Sequence, residues 1–261
     1  MTGGTLRLTI LGSGTSTGVP VLGCRCPVCC SQIPENKRTR CSALLQWGGK
    51  NVLIDTATDF RQQALREGLD RIDAVLFTHT HADHVHGIDD LRTLNSSPRG
   101  AIPVYGSEKS ARAIKRIFSY IFHDEEDSGY RPRLSIQAVE EPFELFGRTV
   151  TPVPLVHGPG EAFGYRVGPL AYLTDCSRVP DASLELLEDL ELLVVDALRF
   201  SEHPSHFNIA GAIALARQIG AAATILTHLS HDVDYSKHGV DLPKGVEFAY
   251  DGQKLSLPLD G

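Results

Sequence analysis

The feature that most constrains this 261-residue chain is the run His79-Thr80-His81-Ala82-Asp83-His84. It sets four imidazole or carboxylate groups within six positions, directly after the apolar residues 74–77. A buried strand that runs straight into so dense a set of donors points to metal binding. Imidazole together with carboxylate suits zinc, and also manganese or iron. Residues two apart in an extended segment point the same way, so His79 and His81 can share one ion. Asp83 and His84 fall where the chain turns and can face a second. The competing explanation is a solvated loop that happens to be rich in histidine, and the ligand density argues against it.

The surroundings read as a mixed α/β chain. Leu6, Leu8 and Ile10 alternate with polar residues, an opening strand that Gly12, Gly14 and Gly18 then break. Residues 43–47 and 51–55 flank Gly48-Gly49, a hairpin signal. Short strands are expected at 102–105, 134–139, 148–155, 162–167, 170–174, 192–196 and 222–227. Helices are expected at 60–67, 108–120 and 184–190, and from a cap at Asn208 through Gln218. Phe248 and Leu255 are placed in a final hairpin around Asp251-Gly252. Two strand-rich halves, each followed by helices, predict a layered sandwich of two mixed sheets with outer helices, of the α/β (α+β) class. No repeat or linker interrupts it, so residues 1–261 are expected to form a single domain.

Composition narrows the function. The formal net charge is −7, whereas gripping extended nucleic acid calls for a basic face; none is expected as a partner. Apolar runs such as residues 192–195 are too short to span a bilayer, and the N-terminal residues 6–11 are interrupted by Arg7 and Thr9. No membrane association and a cytoplasmic location follow as expectations. In a reducing compartment the six cysteines are better read as ligands or thiols than as disulfides.

Three of those cysteines, Cys24, Cys26 and Cys29, form a compact knuckle within residues 24–30. Three thiolates need a fourth ligand to close a tetrahedral zinc site. Cys30 is adjacent, and His231 is a candidate from elsewhere in the chain. Buried, unpaired thiols are the bland alternative.

The pattern His79-x-His81-x-Asp83-His84, after a strand and before Gly87, resembles the signature of the metallo-β-lactamase superfamily. The resemblance implies that superfamily's four-layer αββα sandwich and a dinuclear metal centre. It also implies the remaining ligands: His157 for the first metal, Asp175 as the carboxylate bridging both, and His228 for the second. Each follows an apolar strand, and so does Asp196, read either as a residue that orients a ligand or as a plain strand-end carboxylate.

The loop Gly12-Ser13-Gly14-Thr15-Ser16-Thr17-Gly18-Val19-Pro20, the three cysteines and Arg40-Cys41-Ser42 narrow the resemblance. They are similar to the phosphoribosyl 1,2-cyclic phosphate phosphodiesterases of the carbon–phosphorus lyase pathway. That family implies a structural zinc on Cys24, Cys26, Cys29 and His231. It also implies two catalytic divalent metals, zinc or manganese with iron admitted, and a metal-bridging hydroxide that opens a small cyclic phosphodiester. Catalytic roles fall to His206, as proton donor to the leaving alkoxide, and to Asp83. The loop 120–133 is expected on the rim, with Arg112, Lys115, Arg116, Arg131 and Arg133 as candidate holders of a second phosphate. His86, His123 and His238 read as surface residues, and a homodimer is admitted. The alternatives are a ribonuclease Z-like hydrolase, a thioester or lactone hydrolase, a pyrroloquinoline quinone biosynthesis accessory protein, or a metal-binding scaffold without activity.

Overall fold

The computed structural model describes residues 4–95, 100–122 and 131–259. Its organising elements are strands that are apolar on both faces. In β11 (Leu192–Asp196), Leu192 and Val194 enter one core while Leu193 and Val195 enter another. Such strands must be covered on both sides, which is the condition for parallel pairing. β11 pairs parallel with β10 (Leu170–Leu173) and with β12 (Ala223–Thr227), and β12 pairs parallel with β13 (Val246–Phe248). The antiparallel strands β9 (Gly160–Val167), β8 (Arg148–His157) and β7 (Phe143–Leu145) complete a seven-stranded sheet.

The other sheet repeats this plan. β3 (Lys50–Ile54), β4 (Ala74–Leu76), β5 (Ile102–Gly106) and β6 (Leu134–Ala138) run parallel. β2 (Ser42–Trp47), β1 (Gly4–Gly12) and β14 (Lys254–Leu259) extend it antiparallel, so it too has seven strands among the described residues. The β2–β3 hairpin turns at Gly48 and Gly49, with φ of +54° and +72°. Two successive left-handed residues make the tight turn whose twist matches the strands, and glycine adopts them without strain.

The two sheets face each other across a core that includes Leu8, Leu45, Ile54, Val150, Tyr165 and Val194. The outer face of the first sheet packs on α2 (Phe60–Glu67), α3 (Ala82–Val85) and α4 (Glu108–Ile117) through Phe60, Val85 and Ile114. The outer face of the second packs on α6 (Ile209–Ile219) through Ala212, Leu215 and Ala216. The result is the four-layer helix–sheet–sheet–helix sandwich expected from the sequence. Asn208 caps α6 as anticipated, its Oδ1 accepting from Gly211 N at 2.7 Å. The short helices α1 (Pro27–Cys30), α5 (Asp181–Leu184) and α7 (Tyr235–Gly239) lie in connections. No helix among the described residues is long and apolar enough to cross a membrane.

Three expectations need correction. There is no final hairpin: β13 belongs to the second sheet and β14 to the first. Asp251 sits in the crossing and accepts from Ser13 and Thr39 through both carboxylate oxygens, pinning the segment between sheets rather than reversing it. The helix expected at 184–190 begins earlier, as α5, and gives way to a single 3-10 turn at Glu185–Leu187. Ser183 Oγ donates to Pro154 O at 2.7 Å and ties that start to β8. The helix expected at 108–120 stops at Ile117, beyond which Phe118 leaves helical geometry at ψ 44°.

Candidate metal centre

The functional side chains project from strand ends along one seam between the sheets. Asp55 follows β3, His228 follows β12, and Asp175 comes two residues after β10. All three backbones are left-handed, at φ of +60°, +60° and +54°. Aspartate and histidine tolerate this conformation better than most side chains, and it persists only where the surrounding structure holds it. At a strand end it turns the chain sharply and sends the side chain into the cleft. His79 and His81 lie in the extended segment after β4, and Asp83 and His84 lie on α3.

Asp175 organises the cluster. Its Oδ2 lies 3.7 Å from His79 Nε2 and 3.9 Å from His157 Nε2. Its Oδ1 lies 3.1 Å from His84 Nε2 and 3.4 Å from His228 Nε2. One carboxylate thus faces two histidine pairs, one with each oxygen. His157 Nε2 is 3.3 Å from His81 Nδ1, and Asp83 Oδ2 is 3.3 Å from His84 Nε2. The donor atoms of His79, His81, His157 and Asp175 lie within 4.8 Å of one another, as do those of Asp83, His84 and His228.

Outer contacts fix which nitrogen each ring offers. His84 Nδ1 donates to Asp55 Oδ2 at 2.7 Å, and His157 Nδ1 donates to Ser205 O at 2.9 Å. His79 Nδ1 reaches Thr78 Oγ1 at 3.1 Å, and that hydroxyl donates to Asp55 at 2.7 Å. In each ring Nε2 is left facing the centre, the arrangement by which outer partners orient metal-ligating histidines. The Nε2 atoms of His79, His84 and His228 are buried and make no hydrogen bond. Buried polar atoms are seldom left so. Three of them converging on carboxylates fit divalent metal ions.

The electrostatics agree. Burial alone would lower the His228 imidazole, but Asp175, Asp83 and Asp196 overcome it and lift it to about 9. His84 is also raised by Asp175 and Asp55 despite its burial. Asp175 is held well below the usual carboxylate range, because His228, His84 and His79 outweigh its burial. His79 moves the other way, lowered by burial and by neighbouring His84. The raised imidazoles of His84 and His228 mark a concentration of negative charge that divalent cations would also offset.

His206 stands beside this cluster. Its Nδ1 donates to Asp196 Oδ2 at 2.8 Å, and its ring stacks on His228 with centroids 4.7 Å apart. The other oxygen of Asp196 lies 3.7 Å from His228 Nδ1. Asp196 therefore holds the His206 ring and lies near His228 without bonding it, while accepting from Cys176 N at 2.9 Å. Asp55 went unremarked as a site residue in the sequence, although it too is a carboxylate closing an apolar strand.

The knuckle forms a separate site. Cys24, Cys26 and Cys29 place their Sγ atoms 3.3, 3.5 and 3.5 Å from His231 Nδ1. Tetrahedral zinc with its usual sulfur and nitrogen bond lengths would set these at about 3.5 Å. The Cys29 backbone N–H pulls the Cys26 thiol down to about 7, whereas burial pushes Cys29 up to about 11. Cys30 is exposed and outside the group, and Cys41 and Cys176 are buried elsewhere. Arg38, 2 % exposed, links the knuckle's neighbourhood to the catalytic side by donating to Glu35 O, Asn36 Oδ1 and Ser230 O.

Of the rim residues, 123–130 lie outside the described residues. Arg112 is exposed and paired with Glu108 at 3.0 Å, and Lys115 and Arg116 are exposed. None of the three lines the cavity of about 300 Å³ beside His79, His81 and His157. The cation on its wall is Lys109. His86 is exposed and His238 half-buried.

A family model described as "Beta-lactamase superfamily domain" matches residues 50–229. The chain belongs to the metallo-β-lactamase superfamily. Within that superfamily it resembles a diphosphatase from the PhnP family, whose crystal structure superposes with a TM-score of 0.92 at 45% identity, covering 98% of each chain. A protein named octanoyltransferase from Porphyromonas gingivalis is 41% identical across 98% of this chain, which spans 52%, about half, of that relative's length. Zinc-bound PqqB from Methylobacterium extorquens shares the fold, with a TM-score of 0.78 at 22% identity over 96% of this chain and all of its own (100%).

Proposed function

We propose that this chain is a metal-dependent phosphodiesterase that hydrolyses a small cyclic phosphodiester, such as a phosphoribosyl 1,2-cyclic phosphate. His79, His81, His157 and Asp175 would hold one divalent ion, and Asp83, His84, His228 and Asp175 a second, zinc or manganese with iron admitted. Such a pair, when bound, lowers the pKa of water and polarises the phosphoryl oxygen under attack. Cys24, Cys26, Cys29 and His231 would hold a structural zinc.

The observation that carries the reading is His206 in the grip of Asp196. A ring whose Nδ1–H is committed to a carboxylate offers its Nε2 to the cleft. From there it can pass a proton to a departing sugar oxygen, a poor leaving group that needs one. Asp83 keeps a negative charge in the cleft, because His228 and His84 outweigh burial and hold its carboxyl low.

The cavity, about 300 Å³, supports a small substrate. Hydroxyls, Lys109 and Glu161 line it beside the ligands, with Pro159 its one sizeable aliphatic group. Diphosphate hydrolysis is the second reading, favoured by the name of the 45% identical relative. A phosphate leaving group does not need the proton an alkoxide does, so His206 separates the two.

The test is a panel of cyclic phosphodiesters, diphosphate esters, thioesters and lactones with metal-reconstituted protein. Turnover of a cyclic ribose phosphate that collapses in His206→Ala is expected. Turnover of thioesters or lactones alone would overturn the reading.

A further inference from the structure

The buried arginine between the two candidate metal sites has no part in the phosphodiester chemistry. The hydrogen bonds of Arg38 to Glu35 O, Asn36 Oδ1 and Ser230 O, at 3.1, 3.1 and 3.0 Å, all end on uncharged oxygens. Burial draws its guanidinium down to about 10, and Asp251 and Asp234 offset this only in part. Burying a cation without a hydrogen-bonded carboxylate is costly, so an apolar side chain of similar length would serve packing better. What the guanidinium adds is a rigid fork of donors in fixed directions.

That fork joins the segments that carry both sites. The Arg38 backbone pairs with Val19 in both directions, at 2.7 and 2.8 Å, where the chain leads into the cysteine loop. Neighbouring Lys37 donates from Nζ to Cys29 O at 3.2 Å. Across from them, Ser230 stands between His228 of the catalytic cluster and His231 of the knuckle. Asn36 Oδ1 accepts from Tyr235 N at 2.8 Å as well as from Arg38. Ser230 and Tyr235 are thus both clipped, and His231 lies within the clip. The chain after His228 has little freedom. Leu229 N donates to Ser13 O at 2.9 Å, Thr15 N to Leu229 O at 3.2 Å, and Ser230 N to Leu198 O at 2.9 Å. His228 itself is left-handed, a conformation that persists only where its surroundings hold it. A displacement of His231 therefore strains these bonds or passes to His228.

We propose that Arg38 is a positioning residue that couples the two sites: through Ser230 it makes the placement of His228, and so the metal affinity of the catalytic cluster, depend on whether His231 is held in the knuckle. This rests on the metal assignments above and not on the substrate. Such a coupling is reciprocal, so occupation of either site tightens the other by the same factor.

The experiment loads the full chain with cobalt(II) and titrates it with a chelator. Thiolate and imidazole–carboxylate sites differ in ligand softness, so a thiolate charge-transfer band follows the knuckle and ligand-field bands follow the cluster. Cys29→Ser, which breaks the knuckle, should weaken cobalt binding at the cluster about tenfold, within the usual range of coupling between sites. In an Arg38→Met background the same change should leave cluster affinity nearly unaltered, a double-mutant cycle that isolates the coupling. Arg38→Lys should keep part of the effect, because an ammonium cannot span the same acceptors. A merely structural arginine would lower Tm in Arg38→Met yet leave the Cys29→Ser effect in place, and that result overturns the proposal. If Arg38→Met does not fold, Asn36→Ala, which removes the oxygen shared by Arg38 and Tyr235, carries the same comparison. Cluster cobalt held as tightly in Cys29→Ser as in the wild type overturns the coupling alone. A wild type that takes up no cobalt at the cluster overturns the metal assignment and the coupling with it.

Discussion

His206 and Asp196 are joined by a 2.8 Å hydrogen bond from the imidazole Nδ1 to the carboxylate Oδ2, at a carboxylate with no exposed surface. The bond fixes the ring's orientation and leaves its Nε2 facing the cleft. Replacing His206 by Ala should lower kcat on a cyclic phosphodiester by about a hundredfold or more, the usual range for losing a general acid. Asp196→Asn should lower it less, because the amide oxygen can still accept from the ring Nδ1. Metal content should stay at the wild-type level in His206→Ala. A pH–rate profile with metal analysis of both variants checks this, and undiminished turnover in His206→Ala would sink the proton-donor role.

Asp175 is approached by the Nε2 atoms of His79, His84, His157 and His228, at 3.1 to 3.9 Å. Asp175→Ala should therefore remove metal from both positions, not one. Elemental analysis after dialysis should find the two catalytic equivalents lost and the knuckle zinc retained. Retention of both catalytic equivalents would show that the bridge is dispensable.

The metal-stripped protein should lose stability as pH rises. His228 is raised to about 9 in the folded chain, against about 6.5 unfolded. Its contribution is complete below about 6.5 and disappears as pH rises through about 9, on the order of 3 kcal/mol. His84 acts in the same direction. Asp175 and Asp83 are depressed, so their contribution is present above their ordinary values and is lost on acidification. Melting in chelator at pH 6 and pH 9 should show the lower Tm at pH 9. Metal-loaded protein should not show that drop, because metal uptake displaces those protons. A chelated sample equally stable at both values would contradict the charge arrangement.

Cys29→Ser should remove one zinc equivalent and lower Tm, whereas Cys30→Ser should do neither, since Cys30 is exposed and lies outside the knuckle group. Zinc analysis beside thermal melts distinguishes them. Zinc lost from Cys30→Ser and kept by Cys29→Ser would reverse the assignment.

Much of the centre was legible because the resemblance named its residues, and these share one local feature, an apolar strand that ends in a histidine or carboxylate. That rule reaches Asp175, Asp196 and His228, and applied evenly it would also have reached Asp55, whose strand looked complete as half of a hairpin. Arg112, Lys115 and Arg116 were singled out and Lys109 was not, although all four lie on α4, because only tertiary packing decides which turn of that helix lines the cavity. The supposed last hairpin failed for a related reason. Asp251-Gly252 has turn chemistry, but Asp251 spends it on Ser13 and Thr39. Parallel pairing of β13 with β12 is a long-range contact that no local signal announces.

The seam has a consequence for the whole molecule. Asp55 and the donors from His79 to His84 hang from one sheet, and those from His157 to His228 from the other. An ion held between them is a tie across the sandwich, closing a loop between segments distant along the chain. In polymer terms it is a reversible cross-link, which withdraws conformational freedom from the unfolded chain and adds binding free energy to the folded one. Stripping the metal should therefore loosen the seam first, while the helix-covered outer faces stay closed, and amide exchange would show the strand ends opening before the strand centres.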